Sequence, residues 1–437
     1  MPPAPEIAVL APHRHPRLRY ALAEAGRSVG WRFRLVTEED KWLSLDVSGK
    51  ASLQEISGDF IYTKWFLHPF LAGGDAGAKD LEVSEEGEMS YFFAVGGGYD
   101  LLACIFYVLS RYEEYGTTEV DEHGRFTAAG SHAWRNDYLH LPVVRMWALE
   151  LATRLRGDFP DLPAPQPPAF TFRPTYDIDL LWAWQHRGLR GIAAGLRDAL
   201  TGEFGRAVSR FTTSPAEDPY LTLPFLESLH QRERLKPLYF WLLADGKDPR
   251  DTNPYPIPPG QTSWISRLAE QHPSGIHPSY HTMDRPALIR EEAKRLSTIT
   301  GRETAHSRQH WLRFRLPETY RDLRQAGITH EYSMGYADAV GWRAGTNQPF
   351  HWYDLEQEAA TGLLVHPFAA MDVTLKNYLA LDTEPAKQLI LTLANAIRPY
   401  GGDFALLWHN SSFAEAYGWA GWREMYEELA RELAGKD

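Results

Sequence analysis

TFRPTYDIDLLWAW, residues 171–184, is the stretch around which the rest of the chain is organised. It begins as a short apolar, β-prone run and places Asp177 and Asp179 where a strand is expected to end. Residues i and i+2 of a strand point to the same side, so the two carboxylates repel each other unless positive charge lies beside them. A metal ion is the simplest source of that charge. The alternative is that the two acids cap the next helix or face solvent.

Histidines follow at similar strand-end positions later in the chain. His277 and His281 lie in GIHPSYHT, and His409 ends the run FALLWH. In a parallel barrel every strand-end loop opens on one rim, where side chains from distant segments meet. The residues that we expect to converge there are Asp177, Asp179, His277, His281, Arg343, His366 and His409. An aspartate with two neutral imidazoles suits zinc or another divalent transition metal and leaves positions open for water and substrate.

A proline cluster divides the chain, whose 437 residues exceed the usual size of one domain. The prolines are Pro160, Pro163, Pro165, Pro167 and Pro168. They exclude a helix or a central strand from this segment. We therefore predict an N-terminal α/β domain over residues 1–160 and a second domain over residues 169–437.

Strand and helix patterns alternate on both sides of this boundary. In the first domain, residues 7–11 are predicted to form a strand, residues 17–25 a helix that Gly26 ends, and residues 31–36 a second strand. In the second domain, the number of strand–helix units predicts a distorted (β/α) barrel of about seven strands. Residues 187–211 form a helical, locally basic insertion, which is either a lid near the site or a plain surface insertion.

Composition narrows the class of protein. The net charge of −12 argues against a general binder of nucleic acid or anionic membranes, although a local basic patch stays possible. The single cysteine, Cys104, excludes an intrachain disulfide and a cysteine-based zinc site. We find no signal peptide and no run of about 20 apolar residues that would span a membrane. The expected location is cytoplasmic, and the sequence does not indicate an oligomeric state.

Four short motifs resemble those of the polysaccharide deacetylase family, the NodB-homology group of metal-dependent carbohydrate esterases. The family's Thr-Phe-Asp-Asp resembles Thr175–Asp179 with one residue inserted between the acids, and its His-Ser/Thr-x-x-His is similar in spacing to His277–His281. Its arginine motif resembles Trp342–Thr346, and its Leu-x-His is matched by Leu407–His409. The likeness covers residues 169–437. Three further segments, 110–115, 307–314 and 332–338, resemble a bacterial subgroup in which an α/β domain precedes the barrel.

The resemblance implies a barrel of the NodB-homology type and hydrolysis of an N-acetyl or O-acetyl group on a carbohydrate. In that reaction a bound metal polarises the acetyl carbonyl and activates a water. The resemblance further implies that Asp177 is the base, that Asp179 and His277 are metal ligands with a second histidine, and that His409 is the general acid. Arg343 is expected either to orient Asp177 or to form a structural ion pair.

Two questions stay open at this stage. The second histidine ligand is His281, which the family-like spacing favours, or His310, which lies in the segment Ser-Arg-Gln-His. Two other functions also fit the sequence. One is a sugar-binding pseudoenzyme without turnover, and the other is a glycosyltransferase that uses Asp-x-Asp to hold a metal and a nucleotide sugar.

Overall fold

The N-terminal part begins with a parallel three-stranded sheet. The structure is a computed structural model that describes residues 6–10, 13–36, 59–61, 67–76, 81, 83–86 and 89–435. The sheet has the order β2-β1-β3. Its strands are β1 (Glu6–Leu10), β2 (Arg32–Val36) and β3 (Asp59–Ile61). Two short antiparallel pairs follow, made by β4 (Ser84–Glu86) with β5 (Met89–Tyr91) and by β6 (Ala94–Val95) with β7 (Gly98–Tyr99).

The described residues of this part also form four α-helices. They are α1 (Pro16–Val29), α2 (Leu101–Ser110), α3 (His132–Arg135) and α4 (Val143–Asp158). The predicted end of α1 at Gly26 is wrong, because the helix continues to Val29 and Gly30 takes the left-handed conformation that ends it (φ 74°). Gly26 has another role: a Cβ there would lie 2.7 Å from the Trp31 carbonyl oxygen, so the helix could not pack as closely on the next strand.

A strongly curled, nine-stranded mixed sheet forms the second part. Its order is β13-β14-β12-β11-β10-β9-β8-β16-β15. The first five of its strands along the chain are β8 (Phe170–Ile178), β9 (Leu238–Trp241), β10 (Ser274–Ile276), β11 (His306–Ser307) and β12 (His330–Met334). The other four are β13 (Phe350–Asp354), β14 (Ala359–Pro367), β15 (Ala370–Met371) and β16 (Gly402–His409). Every neighbouring pair is parallel except β13 with β14.

The curl results from one run of chain that pairs with both sides of the sheet. β14 pairs with β12, and two residues later β15 pairs with β16. The link is tight: Phe368 N donates to Met334 O at 3.3 Å, and Ala369 N donates to Ala405 O at 2.9 Å. Counting this run once leaves seven strand positions, with the antiparallel β13 added outside. The predicted distorted α/β barrel of about seven strands is therefore confirmed.

Helices cover the outside of the barrel. They are α5 (Gly188–Leu200), α6 (Phe204–Thr212), α7 (Leu223–Glu233), α8 (Pro259–Gln271), α9 (Ala287–Thr300), α10 (Glu318–Gln325), α11 (Thr383–Ile397) and α12 (Trp422–Leu433). Because both faces of a parallel sheet are covered, its central strands are apolar, and all four residues of β9 are buried. Among the described residues, none of the helices has both the length and the apolar character needed to cross a bilayer.

The two parts share one hydrophobic core. The ring centroids of Phe106 in α2 and Tyr353 in β13 lie 4.9 Å apart, and Tyr20 in α1 lies 5.0 Å from the same ring. Both parts belong to a single cluster of buried apolar side chains. Buried ion pairs cross the same contact, because Arg343 donates to both carboxylate oxygens of Glu114, at 2.9 and 2.6 Å. The N-terminal part is therefore packed against the barrel as part of one folded unit.

Candidate metal centre and its cleft

The candidate site lies at the carboxyl ends of the parallel strands. Asp177 is the second-last residue of β8, and Asp179 follows the end of that strand. His409 ends β16 in register with Asp177. His277 follows β10, and His310 lies just beyond β11. The barrel thus brings together side chains that are separated by as many as 232 positions in the sequence, because strand ends on one rim are neighbours.

Asp179, His277 and His310 form a group that could hold a metal ion. One ligand atom from each lies within 4.8 Å of the others. His277 Nε2 is 3.3 Å from Asp179 Oδ1, and His310 Nε2 is 3.7 Å from Asp179 Oδ2. Asp179 Oδ1 is buried and accepts no hydrogen bond from any described residue. A buried carboxylate oxygen without a partner is costly, so the group fits a cation placed between the three side chains.

Both imidazoles are held by their second nitrogen. His277 Nδ1 lies 2.6 Å from the Arg308 carbonyl oxygen, which can only accept, so this nitrogen carries the proton and Nε2 keeps its lone pair toward Asp179. His310 Nδ1 lies 2.9 Å from Asp251 Oδ1. Metal-ligating histidines typically donate their other N–H to a carbonyl or a carboxylate in this way.

The electrostatics of the group favour positive charge. Burial lowers the pKa of His310, but the carboxylates of Asp179 and Asp251 raise it more, to about 9. Burial raises the pKa of Asp179, yet His310, His277 and His409 together hold it well below its usual range. The site therefore keeps Asp179 ionised and attracts a cation.

Asp177 is held by Arg308 and not by Arg343. Arg308 Nη1 donates to Asp177 Oδ1 at 2.9 Å, and its Nη2 donates to Thr175 Oγ1 at 2.7 Å. This corrects the expectation that Arg343 orients Asp177, because Arg343 donates from Nε and Nη2 to Glu114 and from Nη1 to the Gly335 carbonyl. The second reading of Arg343, a structural ion pair, agrees with these contacts.

His409 is fixed on the other side of Asp179. Its Nδ1 lies 2.8 Å from Asp372 Oδ1, and its backbone N–H donates to Asp372 Oδ2 at 2.7 Å. Its Nε2 lies 3.8 Å from Asp179 Oδ2. Burial lowers the pKa of His409, but Asp372, Asp179 and Asp177 raise it to about 10.

Two other histidines from the predicted set do not join the group. His281 Nε2 lies 2.6 Å from Asp248 Oδ2, and the side chain is about one-third exposed (33%). His366 stacks on Tyr332 with ring centroids 4.2 Å apart, and its Nε2 lies 3.0 Å from His330 Nδ1. The spacing that favoured His281 fails because residues 280–283 turn as a short 3-10 helix after His277, whereas His310 comes from the neighbouring strand.

A cleft of about 260 Å³ opens on the group. Its wall includes two aromatic side chains, Trp311 and Tyr378, which are 37% and 45% exposed. Arg125 comes from the N-terminal part and joins them, because its Nη1 donates to the Trp311 carbonyl and its Nη2 to the Tyr378 hydroxyl, both at 3.0 Å. His123 lies beside the same indole, with ring centroids 4.7 Å apart.

The sequence reasoning missed Arg125, Arg308, Asp251 and Asp372. A signal existed only for Arg308, which lies in the segment 307–314 that resembles the bacterial subgroup. The two aspartates follow no strand pattern that separates them from surface acids. Arg125 lies in a polar turn of the other half of the chain, where no periodicity relates it to the barrel.

Comparisons with known proteins give distant likenesses. Residues 7–160 match the model of a family of unknown function, DUF7033. No curated protein matches the chain in sequence. Among solved structures, a presumed polysaccharide deacetylase from Mycobacterium smegmatis is similar with a TM-score of 0.40 and 15% identity, over 63% of this chain and 88% of that one.

Two more solved structures are similar over nearly the same share of the chain. A 4-alpha-glucanotransferase from Thermococcus litoralis has a TM-score of 0.36 and 14% identity, over 62% of this chain and 38% of that one. A mutant CE4-family pseudoenzyme with restored enzymatic activity has a TM-score of 0.31 and 10% identity, over 62% of this chain and 65% of that one.

Proposed function

We propose that the protein is a metal-dependent hydrolase that removes an N-acetyl or O-acetyl group from a carbohydrate. The observation that carries this proposal is the group Asp179, His277 and His310, whose ligand atoms lie within 4.8 Å of one another beside an open cleft. Asp177 and His409 flank the group at 3.6 Å from His277 Nε2 and 3.8 Å from Asp179 Oδ2. The motifs that resemble the polysaccharide deacetylase family contain four of these five residues.

Asp179, His277 and His310 would hold a divalent transition metal, for which zinc suits the ligand set. When bound, such an ion supplies polarisation of the acetyl carbonyl and increases the acidity of a water. The three residues leave the cleft side open, as a catalytic site requires. Their own task is to direct one carboxylate and two imidazoles at a single point; His310, whose pKa is raised to about 9, would give up its proton on binding the ion.

Asp177 would take the proton from the attacking water. Arg308 and the buried surroundings fix this carboxylate through Oδ1, while Oδ2 lies on the side of His277. A general base must be held within hydrogen-bond reach of the proton that it removes. Arg308 also supplies its carbonyl to His277, so one residue orients both the base and a ligand.

His409 would protonate the departing amine or alcohol. Asp372 binds Nδ1 and leaves Nε2 facing Asp179 and the cleft. A carboxylate partner of this kind sets the orientation of the ring and stabilises its protonated form. The base and the acid thus flank the position of the acetyl group, which is the arrangement that acyl transfer needs.

Metal analysis together with acetate release tests the proposal. The purified protein should bind about one divalent transition ion per chain, and His277→Ala should abolish that binding. The metal-loaded protein should release acetate from a panel of N-acetylated and O-acetylated sugars. Metal binding without acetate release from any sugar would favour the sugar-binding pseudoenzyme, and hydrolysis of a nucleotide sugar without acetate release would favour the glycosyltransferase.

A further inference from the structure

The insertion after Trp184 turns its apolar side chains outward. Helices α5 and α6 form a hairpin over residues 188–212. Twelve large apolar side chains are exposed among the described residues, and half of them lie on this hairpin. They are Ile192 (49%), Leu196 (61%), Leu200 (88%), Phe204 (67%), Val208 (60%) and Phe211 (63%). We call these six residues the apolar face.

The spacing of the apolar face fits one side of each helix. In α5 the residues are four apart, at 192, 196 and 200, and in α6 they lie at 204, 208 and 211. Residues three or four apart share a side of a helix, so each helix presents one apolar stripe. Exposed apolar side chains that occur singly need no explanation, whereas a contiguous set marks an interaction surface.

The inward side of the hairpin is polar. Arg210 and Asp198 are buried there, and Arg210 Nε donates to Asp198 Oδ2 at 2.5 Å. Arg210 Nη2 also donates to the Tyr417 hydroxyl at 3.4 Å. A hairpin that only covered the barrel would bury its leucines and phenylalanines and expose this ion pair. The observed hairpin does the reverse. Turning the apolar face toward the barrel would break the buried Arg210–Asp198 salt bridge, so this ion pair keeps the apolar face outward.

The charge of the hairpin differs from that of the whole chain. Residues 187–212 contain five arginines and two acidic residues, which gives a net charge of +3, whereas the whole chain carries −12. Arg197 lies beside Leu196 at the edge of the apolar face with a side chain that is 73% exposed, whereas Arg206 pairs with Glu203 at 3.6 Å and lies over the Tyr417 ring on the inward side of α6. Arginines beside an exposed stripe of leucine and phenylalanine are typical of helices that lie in the interface of a membrane.

From these features we propose that the hairpin docks the protein on an anionic lipid surface, with the apolar face inserted among the acyl chains and Arg197 on the headgroups. A second copy of the chain fits less well, because two such faces in contact would bring two net positive charges together. The net charge of −12 predicted no affinity for anionic membranes, and the hairpin is the local exception to it.

Docking would place the cleft beside the lipid. Arg187, at the start of the hairpin, donates from Nη1 to the Thr252 carbonyl at 2.8 Å, and Thr252 lines the cleft. The hairpin also follows β8 and Asp179 after only a short segment. The inference does not depend on the proposed function, because it concerns a surface outside the metal centre.

Vesicle flotation with the full chain tests this inference. Phosphatidylcholine vesicles with an equal part of phosphatidylglycerol should bind the protein, whereas phosphatidylcholine alone should bind it at least about tenfold less. Binding to the anionic vesicles should fall steeply between about 0.1 M and about 1 M salt. Failure of the full chain to float with the anionic vesicles at low salt would overturn the proposal.

Two double variants and one control separate the contributions of the apolar side chains and of the arginines to vesicle binding. Leu200→Ser with Phe204→Ser should reduce the partition coefficient by about tenfold or more, since both side chains leave water on docking. Arg197→Gln with Arg206→Gln should reduce it by about tenfold on anionic vesicles only. Trp134→Ser, which removes an aromatic side chain that is 51% exposed on α3, should leave it unchanged.

Light scattering after size-exclusion chromatography tests the alternative that a second copy of the chain covers the apolar face. All the substituted side chains are solvent-exposed, so circular dichroism should report the same fold for every variant. If the wild type is a dimer that Leu200→Ser with Phe204→Ser converts to a monomer, and no variant or wild type binds vesicles, the apolar face is a contact between copies and the membrane proposal is wrong. Equal vesicle binding by the wild type and that double variant would also overturn it.

Discussion

At the scale of single residues, the two candidates for the third ligand differ in what their nitrogens contact. His310 presents Nε2 to Asp179 while Asp251 holds Nδ1, whereas His281 spends Nε2 on Asp248. His310→Ala should therefore lose metal by more than the roughly 10–100-fold typical of a residue that only supports a ligand. His281→Ala should keep the wild-type affinity. A competitive zinc titration against a chromogenic chelator measures both.

Asp251 provides an internal standard for that titration. It touches His310 and no other member of the group, so Asp251→Asn should weaken metal binding by roughly 10–100-fold. If Asp251→Asn and His310→Ala had equal effects, His310 would act as a support and not as a ligand. If His281→Ala and His310→Ala reduced metal affinity similarly, His281, which the motif spacing favoured, would again be a candidate for the second histidine ligand.

Asp177 should be separable from the metal. Asp177→Asn keeps the shape of the side chain and an oxygen for Arg308, but the amide cannot accept a proton from water. We expect the variant to bind metal as the wild type does and to lose about 10²–10⁴-fold in kcat. Metal content and acetate release measured on the same preparation decide this. A fully active variant would remove Asp177 from the role of base.

At this scale the sequence predicted the residues that end strands and missed those that hold them. Asp177, Asp179, His277 and His409 were expected on one rim because a strand end fixes where a side chain points, and the barrel places them there. The partner of Asp177 could not be found in this way, since a long arginine side chain reaches a carboxylate from many positions. Arg343 and Arg308 are both buried beside acids, and only the fold distinguishes which acid each one contacts.

At the scale of elements, three neighbouring strands place histidines in one stack. His306 and His330 have ring centroids 4.7 Å apart, and His330 and His366 have centroids 5.2 Å apart. Burial and then the neighbouring His330 and His306 lower the pKa of His366 to about 3. The pKa of His306 is lowered to about 4, chiefly by burial.

This stack should make the fold sensitive to acid. Between the usual histidine pKa of about 6.5 and the lowered values, the unfolded chain binds more protons than the folded one, so the free energy of unfolding falls as the pH drops through this window. His366→Phe keeps a ring against Tyr332 and removes one of the titrating groups. Between about pH 7 and about pH 5, the free energy of unfolding measured by urea titration should fall less for this variant than for the wild type.

The matched control for the acid sensitivity is His140→Gln, which changes an exposed histidine. This variant should follow the wild type at every pH. An unchanged pH dependence in His366→Phe would mean that the stack does not govern acid unfolding.

The aromatic walls of the cleft belong to two elements that Arg125 joins. Trp311 follows β11, and Tyr378 follows β15 in a π-helical turn over Thr374–Tyr378. If sugar rings stack on these side chains, Trp311→Ala and Tyr378→Ala should each raise KM by about three- to tenfold with little change in kcat. Arg125→Gln should raise KM as well, since Trp311 and Tyr378 would lose the side chain that joins them. Trp134→Ala, outside the cleft, should alter neither constant, and a fall in kcat alone would contradict a binding role.

The sequence predicted most elements but not how the barrel closes. Long amphipathic helices and the apolar β9 can be predicted from the hydrophobic pattern of their own residues. β11 and β15 have only two residues each, so no periodicity can develop within them. Their existence depends on their neighbours in the sheet.

At the scale of the whole molecule, the two halves are tied by buried charge. Glu114 accepts from Arg343 and also from Arg111 Nε at 2.7 Å, and all three side chains are nearly inaccessible to water. Burial raises the pKa of Glu114, but Arg343 and Arg111 lower it further, so the carboxylate stays ionised. Removing this charge would leave the buried Arg343 without its ionic partner and Arg111 with Glu113 alone.

Glu114→Gln should therefore destabilise the whole protein by about 3–5 kcal/mol, measured by urea unfolding with one probe in each half. Both probes should report the same lowered midpoint, because the halves share one core. Glu150→Gln removes the half-buried partner of the exposed Arg154 and should cost less than about 1 kcal/mol. Two separate transitions in the wild type would mean that the halves unfold independently.

Arg125 has a consequence for how this protein could diversify. The turn that carries it, residues 119–126, belongs to the half of the chain that precedes every strand of the candidate site, yet Arg125 forms part of the cleft wall. Exchanging this turn between relatives would reshape the cleft wall while the strands and the side chains of the candidate site keep their sequence. Moving the barrel alone into another protein would leave that wall behind. Libraries for altered substrate choice are therefore best built at residues 119–126 and not at the strand ends.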